Sequence, residues 1–239
     1  MKKLSICLLL LVTGISTFTS CKKEGSLTGT LQTTVSYNVD GLPLLYDSLI
    51  YHNDAGNLYG INKLNYYLSG FHFKKASGSV YSSPEVFYLE AFNPGTNQFT
   101  FKDVPSGDYT EISFYLGLDS VHNLTDALPA TLENINMAWP DMMGGGYHFM
   151  KFEGHAQDSA GTYGFAMHLG KNANLVSITL NRAFSITEDQ PATLPLHMNI
   201  NEWFRGPSIY NFETDGNYSM SNDAAMLKLK NNGSDIFND

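Results

Sequence analysis

Cysteine is nearly absent from this sequence: Cys7 and Cys21 are the only two in 239 residues, and both stand in the first 21. Nothing downstream of Cys21 can form a disulfide framework, a zinc-thiolate site or a cysteinyl blue-copper centre. Basic residues are also few, 14 Lys and Arg against 23 Asp and Glu, for a net charge of −9. That balance argues against nucleic acid as a partner, because phosphate binding requires a basic surface that displaces counterions. The apolar run from Leu8 to Val12 is far shorter than the about 20 residues that cross a bilayer. Common catalytic signatures are missing too: there is no Gly-x-Ser-x-Gly, no His-Glu-x-x-His, no Walker loop and no Gly-x-Gly-x-x-Gly after a strand. Gly144-Gly145-Gly146 is a glycine run, but it leads into an expected strand, so no helix N-terminus faces a phosphate there. The expectation is a protein that is not an enzyme.

What the chain does have is a core: 43% of its residues are hydrophobic and 13% aromatic, with 15% charged, which argues against disorder. Its first 20 residues read as a signal peptide, with Lys2 and Lys3, the short apolar run, and small residues before Cys21. The ending Phe18-Thr19-Ser20-Cys21 resembles a bacterial lipobox, in which cleavage leaves Cys21 acylated at the N-terminus; plain signal cleavage is the alternative. Cys7 then leaves with the signal, Cys21 is consumed by lipid, and loss of Lys2 and Lys3 takes the net charge from −9 to −11. Residues 21–27 form a polar tether, and 28–239 the expected domain.

From Thr28 onward, short alternating runs are broken by Gly, Pro, Asn and Asp, the pattern of an antiparallel sandwich or barrel. Strands are expected at 29–38, 64–76, 86–91, 97–102, 110–118, 146–154, 163–169, 175–180 and 194–202. In the strand from Thr110 to Leu118, Ile112, Phe114 and Leu116 share one face. Ser221 to Asn232, followed by Gly233, carries the cap signals of a short C-terminal helix. The stretch from Ser120 to Gly146 is long for a connection in a compact β domain, and its aromatic and methionine content favours an ordered, functional loop. No linker or internal repeat divides the chain. The expected fold is all-β: one antiparallel β-sandwich-like domain with a long functional loop and a short C-terminal helix.

Seven histidines follow the leader. Strand alternation puts His148 on the face of Met150 and Phe152, and His168 on that of Ala166, so two neighbouring strands can direct two imidazoles into one space. Taken alone, each reads first as a hydrogen-bonded structural histidine. His52 and His155, beside turn residues, are expected in solvent, and His72 and His197, alternating with apolar residues, at packing positions. The loop adds His122-Asn123 and then Met137-Ala138-Trp139-Pro140-Asp141-Met142-Met143. Trp139 and the methionines serve equally to close the end of a core. Imidazoles and thioethers gathered without thiols nevertheless suit copper better than magnesium or calcium.

Several short segments together resemble the MbnP-like family, secreted proteins first associated with methanobactin operons and common as Bacteroidetes lipoproteins. They are Leu64-Asn65-Tyr66-Tyr67-Leu68-Ser69, Phe114-Tyr115-Leu116-Gly117-Leu118-Asp119, Met137-Ala138-Trp139, Gly146 to Gly154, His168-Leu169-Gly170 and Asn231 to Phe237, in the family's order. The resemblance implies a β-sandwich-like domain that binds copper, with a tryptophan oxidised to kynurenine by a partner dihaem cytochrome of the peroxidase type. By position, Trp139 falls on the Met-aromatic-Trp segment, His168 on the His-hydrophobic-Gly segment, and His122 on the histidine that often follows the strand end; His148 matches a position that is histidine in part of the family. Where relatives often read Met-Phe-Trp-x-Trp, this chain has Ala138 and Asp141, which leaves Trp139 as the single site of oxidation in the loop.

The resulting expectation is a lipid-anchored copper-binding protein of the cell envelope, on the periplasmic or surface face of the outer membrane, acting in metal acquisition, storage or handling. Its site residues are His122, Trp139, His168 and His148, with Cys21 lipidated. The alternative is a glycan- or protein-binding accessory lipoprotein that presents Tyr, Trp and Asn on loops. A purely structural envelope protein is a third.

Overall fold

The computed structural model describes residues 27–238, so the expected signal peptide and Cys21 lie outside the described residues. Fourteen strands are described, in two sheets. The smaller holds β1 (Thr28–Val39), β2 (Leu42–Pro43), β7 (Gln98–Pro105), β13 (Ala192–Asn199) and β14 (Phe237–Asn238). The larger holds β3 (Tyr51–His52), β4 (Leu58–Lys75), β5 (Val80–Ser83), β6 (Phe87–Glu90), β8 (Gly107–Leu116), β9 (His148–Asp158), β10 (Gly161–Gly170), β11 (Val176–Leu180) and β12 (Phe184–Ile186). In β1, buried Leu31, Thr33 and Val35 alternate with exposed Gln32, Thr34 and Ser36, as a strand with one face in a core requires. β1 runs parallel to β13 from Leu31 opposite Ala192 to Asn38 opposite Asn199, and every other pair of strands is antiparallel. The domain is an all-β sandwich with one parallel pair inside it.

Aromatic side chains fill the space between the sheets. Phe101 of β7 packs on Phe71 and Phe73 of β4 with ring centres 4.8 and 5.1 Å apart, and Phe71 stacks on Phe114 of β8 at 5.4 Å. A second cluster lies under the other half of β4, where Phe204 stacks on Phe152 at 5.4 Å and Phe212 on Phe165 at 4.9 Å. Edge-to-face and offset pairs of this kind add about 0.5–1.5 kcal/mol each to the burial itself. The C-terminal helix α2 (Asp223–Asn232) begins where expected, with Asn222 capping it by accepting from the Ala225 amide at 3.1 Å; Ala225, Met226 and Leu229 are buried.

The course of β4 positions the long loop. β9 pairs with its residues 58–66 and β8 with its residues 68–75, while β6 occupies the opposite edge across the changeover. β8 and β9 therefore lie end to end along one edge, and residues 117–147 leave and return at the gap between them. This loop is ordered: it contains a short helix, α1 (Leu132–Asn136), and a 3-10 turn at Asp141–Met143.

Three local expectations are corrected. His72 and His197 are exposed, not packed, because alternation with the buried pairs Phe71/Phe73 and Leu196/Met198 puts them on the opposite face; they bond Ser82 Oγ at 2.7 Å and Ser36 Oγ at 2.6 Å. β4 starts at Leu58, six residues before the expected strand, since both of its faces are largely covered there and the period-2 signal disappears. The expected strand 194–202 ends at Asn199, where the chain tightens into a 3-10 turn, Ile200–Phe204.

Candidate functional site

The loop is held by its polar residues. Asp119 Oδ1 accepts from the amides of Val121 and His122 at 2.9 and 3.0 Å and faces the His122 ring nitrogen Nδ1 at 2.9 Å, folding His122 back on its own turn. Asn123 donates to Asn172 Oδ1 at 2.8 Å and accepts from the Tyr147 amide at 2.9 Å, joining the start of the loop to its end. Tyr67 of β4 donates to Asn134 of α1 at 2.7 Å. The last part is nearly a hairpin: the Trp139 amide donates to Gly146 O at 2.9 Å, the His148 amide to Met137 O at 2.6 Å, and Ala138 bridges Tyr147. Gly144, Gly145 and Gly146, with φ of 113°, 67° and 80°, turn the chain back through conformations that side chains disfavour.

That hairpin sets Trp139 beside His148, with ring centres 4.7 Å apart, and His148 in turn meets His168 at 5.0 Å with the rings perpendicular. The contact depends on a β-bulge. Between Leu169 and Gly170 the register with β9 shifts, so that Leu169 faces Met150 and Gly170 faces His148. The shift moves His148 out of the Met150 and Phe152 row expected from strict alternation and into the row of Lys151, Glu153 and His168. Gly170 makes room for the indole: a Cβ there would lie 2.4 Å from Trp139 Cε3 and 2.6 Å from Cζ3.

The hydrogen bonds identify where the lone pairs are. A carbonyl oxygen only accepts, so His148 Nδ1 donates to Met137 O at 3.1 Å and its lone pair lies on Nε2. His168 Nε2 lies 3.0 Å from Glu153 Oε1, and Glu153 Oε2 accepts from Lys63 Nζ at 2.9 Å. Burial, reinforced by the Lys151 and His168 charges, lowers the His148 pKa to about 3, so the ring is neutral at neutral pH, as a ligand must be. The hydrogen bond from His168, followed by Lys63, holds the Glu153 carboxyl down at about 2. Trp139 is 2% exposed, and its Nε1 is buried without a hydrogen-bond partner.

This donor set fits a copper ion in part. An ion about 2.0 Å from each ring nitrogen sits about 3 Å from each ring centre, so imidazoles sharing it at a roughly tetrahedral angle have centres about 5 Å apart. The observed separation is 5.0 Å, a spacing that such sharing and an ordinary edge-to-face contact both give. Among the described residues, no three His, Cys, Asp or Glu side chains form a group able to hold a metal ion. A third ligand would have to come from another kind of group; the indole of Trp139, whose N–H donates only and cannot coordinate, lies with its ring centre 4.7 Å from that of His148.

Of the four site residues expected from sequence, the structure brings Trp139, His148 and His168 together. His122, at the loop's start, is bound to Asp119, and its ring is not among those packed on the other three. His52 is exposed; His155, half-buried, has Nδ1 3.0 Å from Asp47 Oδ1. Met137 is buried, while Met142 is 95% exposed. Sequence reasoning passed over Glu153, Gly170 and Ser219, whose Oγ accepts from the His168 amide and donates to its carbonyl, both at 2.6 Å. Glu153 left a trace as the polar alternate of Lys151 on an otherwise apolar strand, and Gly170 as the glycine of the His-hydrophobic-Gly segment, without its contact to Trp139. Beside Trp139 opens a groove of about 670 Å³, walled by Leu128, Ile135, Pro140 and Tyr147, with Asp126 and Asp141 at its rim.

A comparison with curated protein sequences gives no match. Among solved structures, the chain is similar to MbnP from Methylosinus trichosporium, at 16% identity and a TM-score of 0.53, over 76% of this chain and 79% of that one. At that identity the likeness concerns the fold. The MbnP family model matches residues 28–225, which take in every strand of the two sheets except β14, the loop and all three clustered side chains, and the chain belongs to the MbnP family.

Proposed function

We propose that this protein binds copper at His148 and His168, with Trp139 as the residue that completes the site, and serves in acquisition, storage or handling of the metal. Membership of the MbnP family supports a copper-related role. The observation that carries the reading is the perpendicular pair of buried His148 and part-buried His168, with ring centres 5.0 Å apart, and an indole 4.7 Å from His148. Neutral imidazole is a borderline donor suited to copper, and the strand scaffold fixes its direction. When bound, the metal would supply affinity for borderline nitrogen donors; the protein's part is to hold the buried, neutral ring of His148 beside that of His168 and to offer a third position. The direct test is metal analysis of protein purified without a His tag, followed by copper titration. Near-stoichiometric copper supports the reading, and none after reconstitution transfers it to the glycan- or protein-binding alternative.

Oxidation of Trp139 to kynurenine opens the indole and leaves an aromatic amine next to His148, turning a donor-only side chain into a nitrogen ligand. A dihaem cytochrome of the peroxidase type is the proposed oxidant. The loop over Trp139 exposes Leu132, Ile135 and Met142, an apolar rim suited to docking such a partner. Lipid on Cys21 would keep the protein at the outer membrane, with the polar tether as spacer.

A further inference from the structure

We propose that Glu153 is a positioning residue of this centre: together with the Met137 carbonyl it holds the two histidines in opposite tautomers, so that His148 offers Nε2 and His168 offers Nδ1 to the metal. The proposal rests on the copper-binding reading for its metal, but its core is a statement about two rings in the protein as it folds. A neutral imidazole carries one N–H, and whichever nitrogen has it cannot coordinate. For His148 the choice is made by a carbonyl, which accepts only, 3.1 Å from Nδ1. For His168 it is made by a carboxylate 3.0 Å from Nε2.

Glu153 can act in this way because it is itself held. Lys63 Nζ donates to its second oxygen at 2.9 Å, which fixes the carboxylate plane and keeps an acceptor turned toward the ring. The backbone of His168 is clamped at both amide and carbonyl by Ser219, so the remaining freedom of the side chain is its two χ angles, and Glu153 is the group that restrains the ring. Register explains why this carboxylate is within reach. Glu153 pairs with Ala166 and His168 with Lys151, so Glu153 and His168 are diagonal neighbours on one face of β9 and β10. A ligand histidine donating its second N–H to a carboxylate or carbonyl is the common way of setting tautomer and basicity, and loss of such a partner costs about 10–100-fold in metal affinity.

Glu153→Gln gives a specific test. Lys63 needs an acceptor, so the amide oxygen turns to Lys63 and the NH2 group faces His168, which must then accept through Nε2 and carry its proton on Nδ1. Ring 15N shifts, measured by long-range 1H–15N correlation on metal-free protein at neutral pH, read the tautomers directly. The expected wild-type spectrum shows Nδ1–H on His148 and Nε2–H on His168. Glu153→Gln is expected to switch His168 alone and to lower copper affinity by about 10–100-fold. In copper-loaded protein, the remote-nitrogen signals in pulsed EPR should change for one of two imidazoles. Glu111→Gln, which removes the partner of Lys74 in a comparable ion pair elsewhere on the sheet, is the control and should change none of these. An Nδ1–H tautomer on wild-type His168, or a Glu153→Gln variant with unaltered tautomer and affinity, overturns the proposal. Wild-type protein that shows the stated tautomers but takes up no copper overturns the copper reading instead, so the two failures are distinct.

Discussion

Replacing Gly170 with alanine tests whether the indole of Trp139 is seated as the geometry requires. The new Cβ would stand 2.4 Å from Cε3 and 2.6 Å from Cζ3 of Trp139, where carbon atoms in contact need about 3.5–4.0 Å. An indole does not bend, so either the ring or the end of β10 must move by about 1 Å. Overpacking of this kind costs about 1–3 kcal/mol. In a domain of this size each kcal/mol lowers the melting temperature by about 2–4 °C, so a mid-range cost of about 2 kcal/mol predicts a loss of about 4–8 °C. Gly164→Ala is the internal control: it lies on the same strand, its Cβ would meet its nearest neighbour at 3.7 Å, and it should melt at or slightly above the wild-type temperature. Because Gly170 faces His148 across the strands, displacement of the indole also moves it relative to the imidazole, so the near-UV CD of the variant should change and its copper affinity should fall. Equal melting temperatures and near-UV spectra for the two alanine variants would refute the placement of Trp139 against β10.

Acid should destabilise the domain through His148. Its folded pKa of about 3 lies below the ordinary histidine value, so as pH falls from about 6.5 toward 3 the unfolded chain takes up a proton that the folded one refuses; stability declines through that window by up to about 4–5 kcal/mol, and urea titrations of His148→Gln should lack that decline. Glu153 acts in the same direction at lower pH, its stabilisation being present above the ordinary carboxyl range and lost as pH falls toward 2. Copper titration should show large losses for His148→Ala and His168→Ala, none for His52→Ala and His155→Ala, and a smaller loss for His122→Ala, whose ring is tied to Asp119; equal affinities across all five would remove the assignment. Peptide mapping of protein from its native host should show a gain of about 4 Da at Trp139, from loss of one carbon and gain of one oxygen, with intact tryptophan in protein made without the oxidant. Cys21→Ser should release soluble, folded protein, and material still extracted only by detergent would point to another anchor.

The strands that were legible in the sequence are those with one wet face. β1 from Leu31 to Ser36, β8 from Ile112 on and β10 from Phe165 to Leu169 alternate, and Ile112, Phe114 and Leu116 point inward as their period requires. The first half of β4 was not legible because Tyr59, Gly60 and Ile61 are all buried, and two covered faces leave no period to read. The site was partly legible for the same reason. The sequence places His148 and His168 on neighbouring strands and Trp139 on the long loop that precedes the first of them, but the face of His148 depends on a bulge, and a one-residue slip reverses every side chain beyond it. Glu153 could be recognised only once the register made it the diagonal neighbour of His168. The need for glycine at 170 arises from a contact with a residue 31 positions earlier in the chain, which no local pattern encodes.

Burial of polar groups around Trp139 bears on whether this end of the sandwich is more than packing. An unpartnered buried N–H costs about 1–3 kcal/mol, and enclosing an imidazole that must stay neutral adds to that cost. The domain contains a second such indole: Trp203 is fully buried, and its Nε1 also lacks a partner. An orphaned indole nitrogen therefore does not mark a site by itself. Trp203 and Val176 both pack against Gly233, at the junction of β11 with the C-terminal segment. Trp139 differs in its surroundings: two imidazoles with lone pairs on different nitrogens, and a groove of about 670 Å³ along one side. Asn123, Thr125 and the Tyr67–Asn134 bond hold the loop over it, so the cost is carried by an ordered scaffold instead of being relieved by the loop lifting away. It is these surroundings, and not the orphaned nitrogen, on which the proposed role of Trp139 rests.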